Sequence, residues 1–275
     1  MYTIEQVNYE ATRLMKPNYY KTLTAPMDDM WEEGYFPACD FYIIKSDINC
    51  GYFALDNEGV LLVFHVEDKL TADDLFDYII IHNNIQKAYV STYDPIFYSQ
   101  CLRYKKSISV NTLLYKQSYE ISIPVPFDNI VVIHADKTDL DSTARFFREK
   151  VDISGDWIEP YLAKLIYNDG LILFKCNDEI IGTGGIRPSI SSKGYANIGM
   201  TVSKDYRRRG LASYIISTIK DICNKNNYLT ICSTTSDNIG SQKTLTKCGY
   251  ECYHHILTVY LNQNSNDHNE LSIPL

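Results

Sequence analysis

Three consecutive arginines, Arg207, Arg208 and Arg209, precede Gly210-Leu-Ala-Ser213 at the start of the most regular helical pattern in the chain. A helix start carries roughly half a positive charge, so each cation there is unfavourable by up to about 1 kcal/mol. An added anion reverses that balance. The free backbone N–H groups of a first helical turn, reached through a glycine, form a cradle for phosphate or pyrophosphate. Gly210 lets a ligand approach the backbone closely, and Ala212 keeps the next turn low. The alternative is a solvated basic turn with no ligand, since short basic clusters are common.

The elements that must position this turn alternate between strand and helix. Ile130–His134 reads as a short buried strand, and Asp139–Lys150 follows with apolar residues at helical spacing. A second helix is expected over Trp157–Tyr167, with Pro160 tolerated in its first turn. Gly170–Cys176 and Ile180–Ile186 read as strands joined by the turn pair Asn177-Asp178. Tyr195–Ser203 is a further strand. Gly210–Asn226 is a helix with Leu211, Ile215, Ile219, Ile222 and Cys223 along one stripe. Tyr228–Ser233 reads as a buried strand, Ser241–Cys248 as a short helix ended by Gly249, and Tyr250–Leu261 as a last strand. From Asn262 the chain is polar and is expected to fray.

The first half echoes this order. Strands are expected at Asp40–Ile44, Tyr52–Leu55 and Val60–His65, then a helix over Thr71–Ile81. A strand at Ala88–Thr92, a helix over Ile96–Lys105 and a strand at Ser107–Lys116 follow. Ser91-Thr-Tyr-Asp-Pro-Ile96 with Ser99-Gln100 parallels Ser233-Thr-Thr-Ser-Asp-Asn-Ile239 with Ser241-Gln242, allowing two one-residue offsets. An internal duplication is therefore expected, with domains at 1–122 and 129–262 and a linker over Ile121–Asp128 marked by Pro124 and Pro126. The fold class is α/β, of the α+β kind with a mixed sheet.

The segment Tyr206-Arg-Arg-Arg-Gly-Leu-Ala212 resembles the pyrophosphate loop of the GNAT superfamily of acyl-CoA N-acyltransferases, R/Q-x-x-G-x-G/A, on Arg207, Gly210 and Ala212. Before it, Tyr195–Ser203 is similar to that family's central strand. After it, Ser236–Ser241 and Lys247-Cys-Gly-Tyr250 are similar to its N-x-x-S … G-F/Y signature. The resemblance spans about residues 130–261 and implies a GNAT-like C-terminal half, with a degenerate tandem copy before it. It further implies acetyl-CoA as cosubstrate, contacted by Met200, Thr201 and Val202 and held at its pyrophosphate by Arg207, Arg208, Arg209, Gly210, Leu211, Ala212 and Ser213. Asn238 and Ser241 would also touch CoA. The implied activity is acetyl transfer to a primary amine of a small molecule or peptide. Its chemistry needs the amine deprotonated from a pKa around 10 and a backbone N–H for the developing oxyanion.

The sequence departs from the family in two places. Leu245 stands where the family has its acidic tyrosine, and Tyr195–Ser203 contains no Asp, Glu or His. Tyr250 and Tyr253 read as strand packing and Glu159 as surface, so no catalytic side chain is named. A non-catalytic acyl-CoA-binding sensor is the alternative function. The corresponding turn of the first half, Val66–Asp74, has neither glycine nor arginine and four carboxylates, which would repel a pyrophosphate.

Bulk properties bound the remaining classes. A net charge of −8 over 275 residues disfavours nucleic acid and anionic lipid as partners. No apolar run is long enough to span a bilayer, and the polar start of the chain reads as no secretory signal. The 8 cysteines are scattered without a C-x-x-C pair, so neither a disulfide framework nor a metal site is expected. A cytoplasmic protein fits these features, and the oligomeric state stays open.

Overall fold

A computed structural model of the chain describes residues 2–126 and 128–262; the polar tail expected to fray after Asn262 lies outside them. Contacts divide the chain into two units, one running to Leu113 and resuming at His254, the other Leu114–Tyr253. Both are mixed α/β.

The first unit begins with β1 (Thr3–Val7) and α1 (Lys16–Thr22). It continues through β2 (Asp40–Lys45), β3 (Asn49–Leu55), β4 (Leu61–Val66), α2 (Ala72–His82), β5 (Lys87–Ser91), α3 (Pro95–Arg103) and β6 (Lys105–Gln117). The second holds β7 (Ile130–His134), α4 (Leu140–Phe146), α5 (Ile158–Tyr167), β8 (Leu171–Cys176), β9 (Glu179–Pro188) and β10 (Tyr195–Val202). There follow α6 (Leu211–Lys225), β11 (Leu229–Thr235), α7 (Ile239–Lys247) and β12 (Tyr250–Leu261). From β2 to β6 and from β8 to β12 the element order is the same, as the sequence echo suggests.

The last strand of each series is exchanged. β12 pairs antiparallel with β5 through Ile256↔Ser91 to Tyr260↔Lys87, inside the first unit. β6 neighbours β11, and its residues from Leu114 belong to the second unit. The remaining register is common to both: β1 to β4 are successively antiparallel and β4 to β5 parallel, while β7 to β10 are antiparallel and β10 to β11 parallel. Among the described residues no helix is long and apolar enough to cross a membrane.

Most elements fall where apolar periodicity puts them, and the differences have physical causes. The run Ile130–His134, read as buried, is an outermost strand, so none of its side chains is fully buried and Val131 is 56% exposed. The helix expected over Asp139–Lys150 leaves α geometry at Phe146, makes a π-helical turn to Val151 and stops at Asp152 in the left-handed region. In α6 Ile222 is only half-buried, whereas Ile216 and Lys220 are buried beside the expected stripe. Lys220 is kept inside by an ion pair to Glu120 at 2.7 Å. At the β8–β9 hairpin, Asn177 and Asp178 both have positive φ, 50° and 64°, and Cys176 pairs with Glu179. That is the two-residue turn that Asn and Asp favour, and it fixes the register of β9.

Two glycines of β9 set how close α6 comes to the sheet. A β-carbon on Gly182 would lie 2.6 Å from Ile215 Cδ1, and one on Gly184 would collide with Ile219 Cγ2. The helix thus packs on bare strand backbone, which holds its N-terminus in a fixed place beside β10.

Candidate functional site

Strand β10 is paired unequally on its two edges. Along β9 it runs antiparallel from Ala196↔Pro188 to Val202↔Gly182. Along β11 it is parallel only over Tyr195↔Leu229, Ala196↔Thr230 and Asn197↔Ile231. Beyond Asn197 the two strands separate, so the backbone of Gly199 to Val202 offers one edge with no ladder partner. Unpaired strand edges in a fold's interior call for an acceptor or donor from outside the sheet. Met200, Thr201 and Val202 lie on this stretch and are half-buried.

Past β10 the chain makes a short 3-10 turn over Lys204–Tyr206 and reaches the arginines. Arg208 has φ 59° and Gly210 φ 91°, two left-handed residues that turn the backbone into α6. The first i→i−4 bond of that helix runs from Tyr214 N to Gly210 O at 3.1 Å. The amides of Leu211, Ala212 and Ser213 therefore precede the helical ladder, no side chain caps them, and no acidic residue stands in the first turn. A 15-residue helix with bare amides behind three cations has the electrostatics of an anion site.

The arginines are exposed but not idle. Arg207 donates from Nε to Val202 O and from Nη2 to Val151 O, each at 3.4 Å, which ties the end of β10 to the end of the π-helical turn. The Arg209 guanidinium stands 5.4 Å from the centre of the Tyr206 ring. Lys204 pairs with Asp152, and Lys150 with Asp205 at 3.7 Å. These contacts order the loop before any ligand arrives.

Asn238 and Ser241 meet at the start of α7, where Asn238 Oδ1 accepts from Ser241 N at 3.1 Å. The Asn238 carboxamide thus caps a helix, the ordinary work of Asn at that position. Leu245 is 2% exposed, and it is the buried residue of α7. Leu245→Tyr therefore places a larger, polar side chain in a filled site. Its expected effect is a loss of about 1–3 kcal/mol in stability with no gain in turnover. Thermal denaturation alongside steady-state rates checks this; faster turnover at unchanged melting temperature would show that the position opens on the reaction.

The neighbouring candidates for acid or base resolve into structural roles. Tyr250 is buried, shares a hydrogen bond with Thr230 Oγ1, and burial pushes its phenol far above the usual range. Tyr253 is exposed and donates to Glu251 at 2.6 Å. Glu159 is exposed and accepts from Arg148. No Asp, Glu or His lies on β10.

In the first unit the equivalent place is built differently. β4 and β5 are in register at Leu61↔Ala88 and β4 otherwise pairs with β3. The chain between β1 and β2 packs across both strands. Tyr19 lies 5.6 Å from the His65 ring and donates to Asp94 Oδ2 at 2.9 Å, while Trp31 meets Tyr89 at 5.9 Å. Thr24 N donates to Tyr93 O at 2.9 Å, which occupies backbone just past β5. The acidic turn is likewise in use. Asp68 Oδ1 accepts from Leu70 N, Glu67 from Asn18, and Asp73 from Gln100. Sequence reading flagged these carboxylates but not the aromatic plug, whose residues show no regular spacing.

Comparisons with known proteins agree across both halves. A family profile described as Acetyltransferase (GNAT) domain matches residues 8–118, and one described as Acetyltransferase (GNAT) family matches residues 139–250. A search of curated proteins gave no match. Among solved structures, an acetyltransferase from the GNAT family of Colwellia psychrerythraea is 22% identical. The alignment covers 94% of this chain and 100% of that one, with a TM-score of 0.87. A GCN5-related N-acetyltransferase from Sphaerobacter thermophilus is 11% identical over 94% of each chain, with a TM-score of 0.66. A tandem GNAT protein from the clavulanic acid biosynthesis pathway is 11% identical over 94% of this chain and 98% of that one, with a TM-score of 0.63.

Proposed function

The chain belongs to the GNAT superfamily of acyl-CoA-dependent N-acetyltransferases, with two such domains in tandem, and on that premise we propose that its second unit transfers an acetyl group from acetyl-CoA to a primary amine of a small molecule or peptide. The observation that carries this reading is the uncapped start of α6 behind Gly210, next to the free edge of β10. These are the two features that acetyl-CoA needs: donors for a pyrophosphate and a strand edge for the amides of its pantetheine arm. The proposed domains, 1–122 and 129–262, are two copies of one sequence unit whose closing strands have changed places.

When bound, acetyl-CoA supplies the activated acetyl thioester. The amides of Leu211, Ala212 and Ser213, with Arg207, Arg208 and Arg209 around them, would hold its pyrophosphate. The backbone of Met200, Thr201 and Val202 would pair with the pantetheine, and Asn238 and Ser241 would border it. An N–H on the free edge of β10 is suited to donate to the thioester oxygen as negative charge develops there. The amine must arrive neutral; with no carboxylate or imidazole on β10, its proton passes to water. The cysteines are free thiols, Cys101, Cys223, Cys232 and Cys248 buried, which supports the proposed cytoplasmic setting.

Release of free CoA from acetyl-CoA with a panel of amines tests the reading, and amine-dependent release is the expected result. The second reading, an acyl-CoA-binding sensor, draws on the buried Leu245 and the lack of a carboxylate on β10. Tight binding with no turnover of any amine would favour it.

A further inference from the structure

On the face of β9 away from α6, the strand turns Gly185 and Arg187 toward α5. A β-carbon on Gly185 would lie 3.6 Å from both Leu165 Cδ1 and Tyr161 Oη. Arg187 Nη1 donates to Tyr161 Oη at 2.9 Å, and its guanidinium carbon is 5.8 Å from the centre of that ring. Nε of Arg187 is shielded from solvent and has no hydrogen-bond partner. Among the described residues no carboxylate pairs with this guanidinium. An N–H of a charged group left buried without an acceptor is costlier than a neutral one, so it persists where something else completes it.

The geometry says what would. With Nη1 committed to Tyr161, the Nε–Nη2 edge of the fork is left, and once the atoms over Nε give way to a ligand that edge takes a carboxylate with two parallel hydrogen bonds. Its place in the sheet relates it to the reaction. Arg187 is in register with Asn197, the last residue of β10 before β10 and β11 part. Gly199, two residues further on the same face, has no atom within 4 Å of where a β-carbon would stand, so there is room beside the vertex.

We propose that Arg187, held by Tyr161, binds a carboxylate carried by the acceptor, so that the acceptor is an amine of the amino-acid type rather than a simple alkylamine. This rests on the acetyl-transfer reading of the second unit. It makes Arg187 the residue that determines acceptor specificity, and Tyr161 the residue that positions it.

Matched pairs test it: an L-amino acid against the amine lacking its carboxylate, run across several side chains with the full chain. Wild type should favour the carboxylate-bearing member by about 100-fold in kcat/KM. Arg187→Gln should erase the preference through a higher KM for that member alone, with acetyl-CoA affinity by calorimetry unchanged. Arg187→Lys should keep part of it, and Tyr161→Phe should weaken it without reversing it. Equal turnover of both members by wild type, or an equal loss on both in Arg187→Gln, would overturn the proposal while leaving the acyl-CoA reading intact. Failure of acetyl-CoA to bind would remove that reading instead. Titration of the amino acid onto wild type and Arg187→Gln without acetyl-CoA then decides the Arg187 question alone, with no wild-type binding counting against it.

Discussion

Gly210→Val is expected to weaken acetyl-CoA binding by on the order of 100-fold while leaving the protein folded. Gly210 sits at φ 91°, where a β-branched residue is strained by roughly 1–2 kcal/mol. The protein itself leaves room for a β-carbon, whose nearest neighbour would be Pro126 Cβ at an ordinary 3.5 Å. The cost to the fold is therefore strain rather than collision, and the melting temperature should fall by only a few degrees. Binding suffers more, for two reasons. Relief of the strain rotates the amides of Leu211, Ala212 and Ser213 out of convergence, and the new side chain stands where the pyrophosphate must approach. Gly210→Ala should lie between. Calorimetry with acetyl-CoA, paired with circular dichroism, reads both effects; affinity unchanged in a folded Gly210→Val protein would place the pyrophosphate elsewhere.

Asp94→Asn should raise stability at pH 7–8 and flatten its dependence on pH between about 4 and 7. Asp94 is 2% exposed, and it accepts from Phe97 N at 3.1 Å and from Tyr19 at 2.9 Å. Burial pushes its carboxyl up to about 6, against an ordinary value of 3.8. The folded chain thus holds this proton more tightly than the unfolded chain. The resulting stabilisation is complete below the unfolded value of about 4 and is lost as pH rises through about 6. At neutral pH the carboxylate is charged in a place that disfavours charge, a penalty on the order of 3 kcal/mol. Asparagine caps a helix about as well as aspartate, and Tyr19 can turn its hydroxyl to accept from the new amide. Melting curves of both proteins from pH 4 to 8 should converge at the acid end and separate above pH 6, with the variant higher. Parallel curves throughout would show that the Asp94 carboxyl titrates as it would in water.

Much of this fold was legible because local signals and tertiary demands coincide. Ile215 and Ile219 recur at helical spacing and are the residues that α6 lays on β9. Asn177-Asp178 is a turn by composition and a turn by backbone angle. The loop Arg207 to Gly210 stood out because three cations oppose a helix dipole, and the structure adds that no cap or carboxylate relieves them. Other features had no local signature. β1 is mostly polar because, as an outermost strand, it has little to bury, and α1 is too short for its apolar residues to show a period. The exchange of β6 and β12 is invisible in chain order, since both strands read the same whichever neighbour they choose. Gly182, Gly184 and Arg187 look ordinary in sequence; only the approach of α6 and the unpartnered Nε give them meaning. The exchange also bears on experiments, because a fragment cut at the linker would lose β6 and leave β12 without β5.

The two units share an architecture but differ at the place where a pyrophosphate would bind. One presents bare amides, a left-handed glycine and three arginines. The other presents carboxylates already in use as caps and hydrogen-bond acceptors, and fills its strands' divergence with Tyr19, Trp31 and Thr24. Titration calorimetry of acetyl-CoA into the full chain weighs this difference most directly. A stoichiometry near one, abolished by Gly210→Val, is the expected result. Two sites per chain, or one site that survives Gly210→Val, would contradict the assignment of acyl-CoA binding to the second unit.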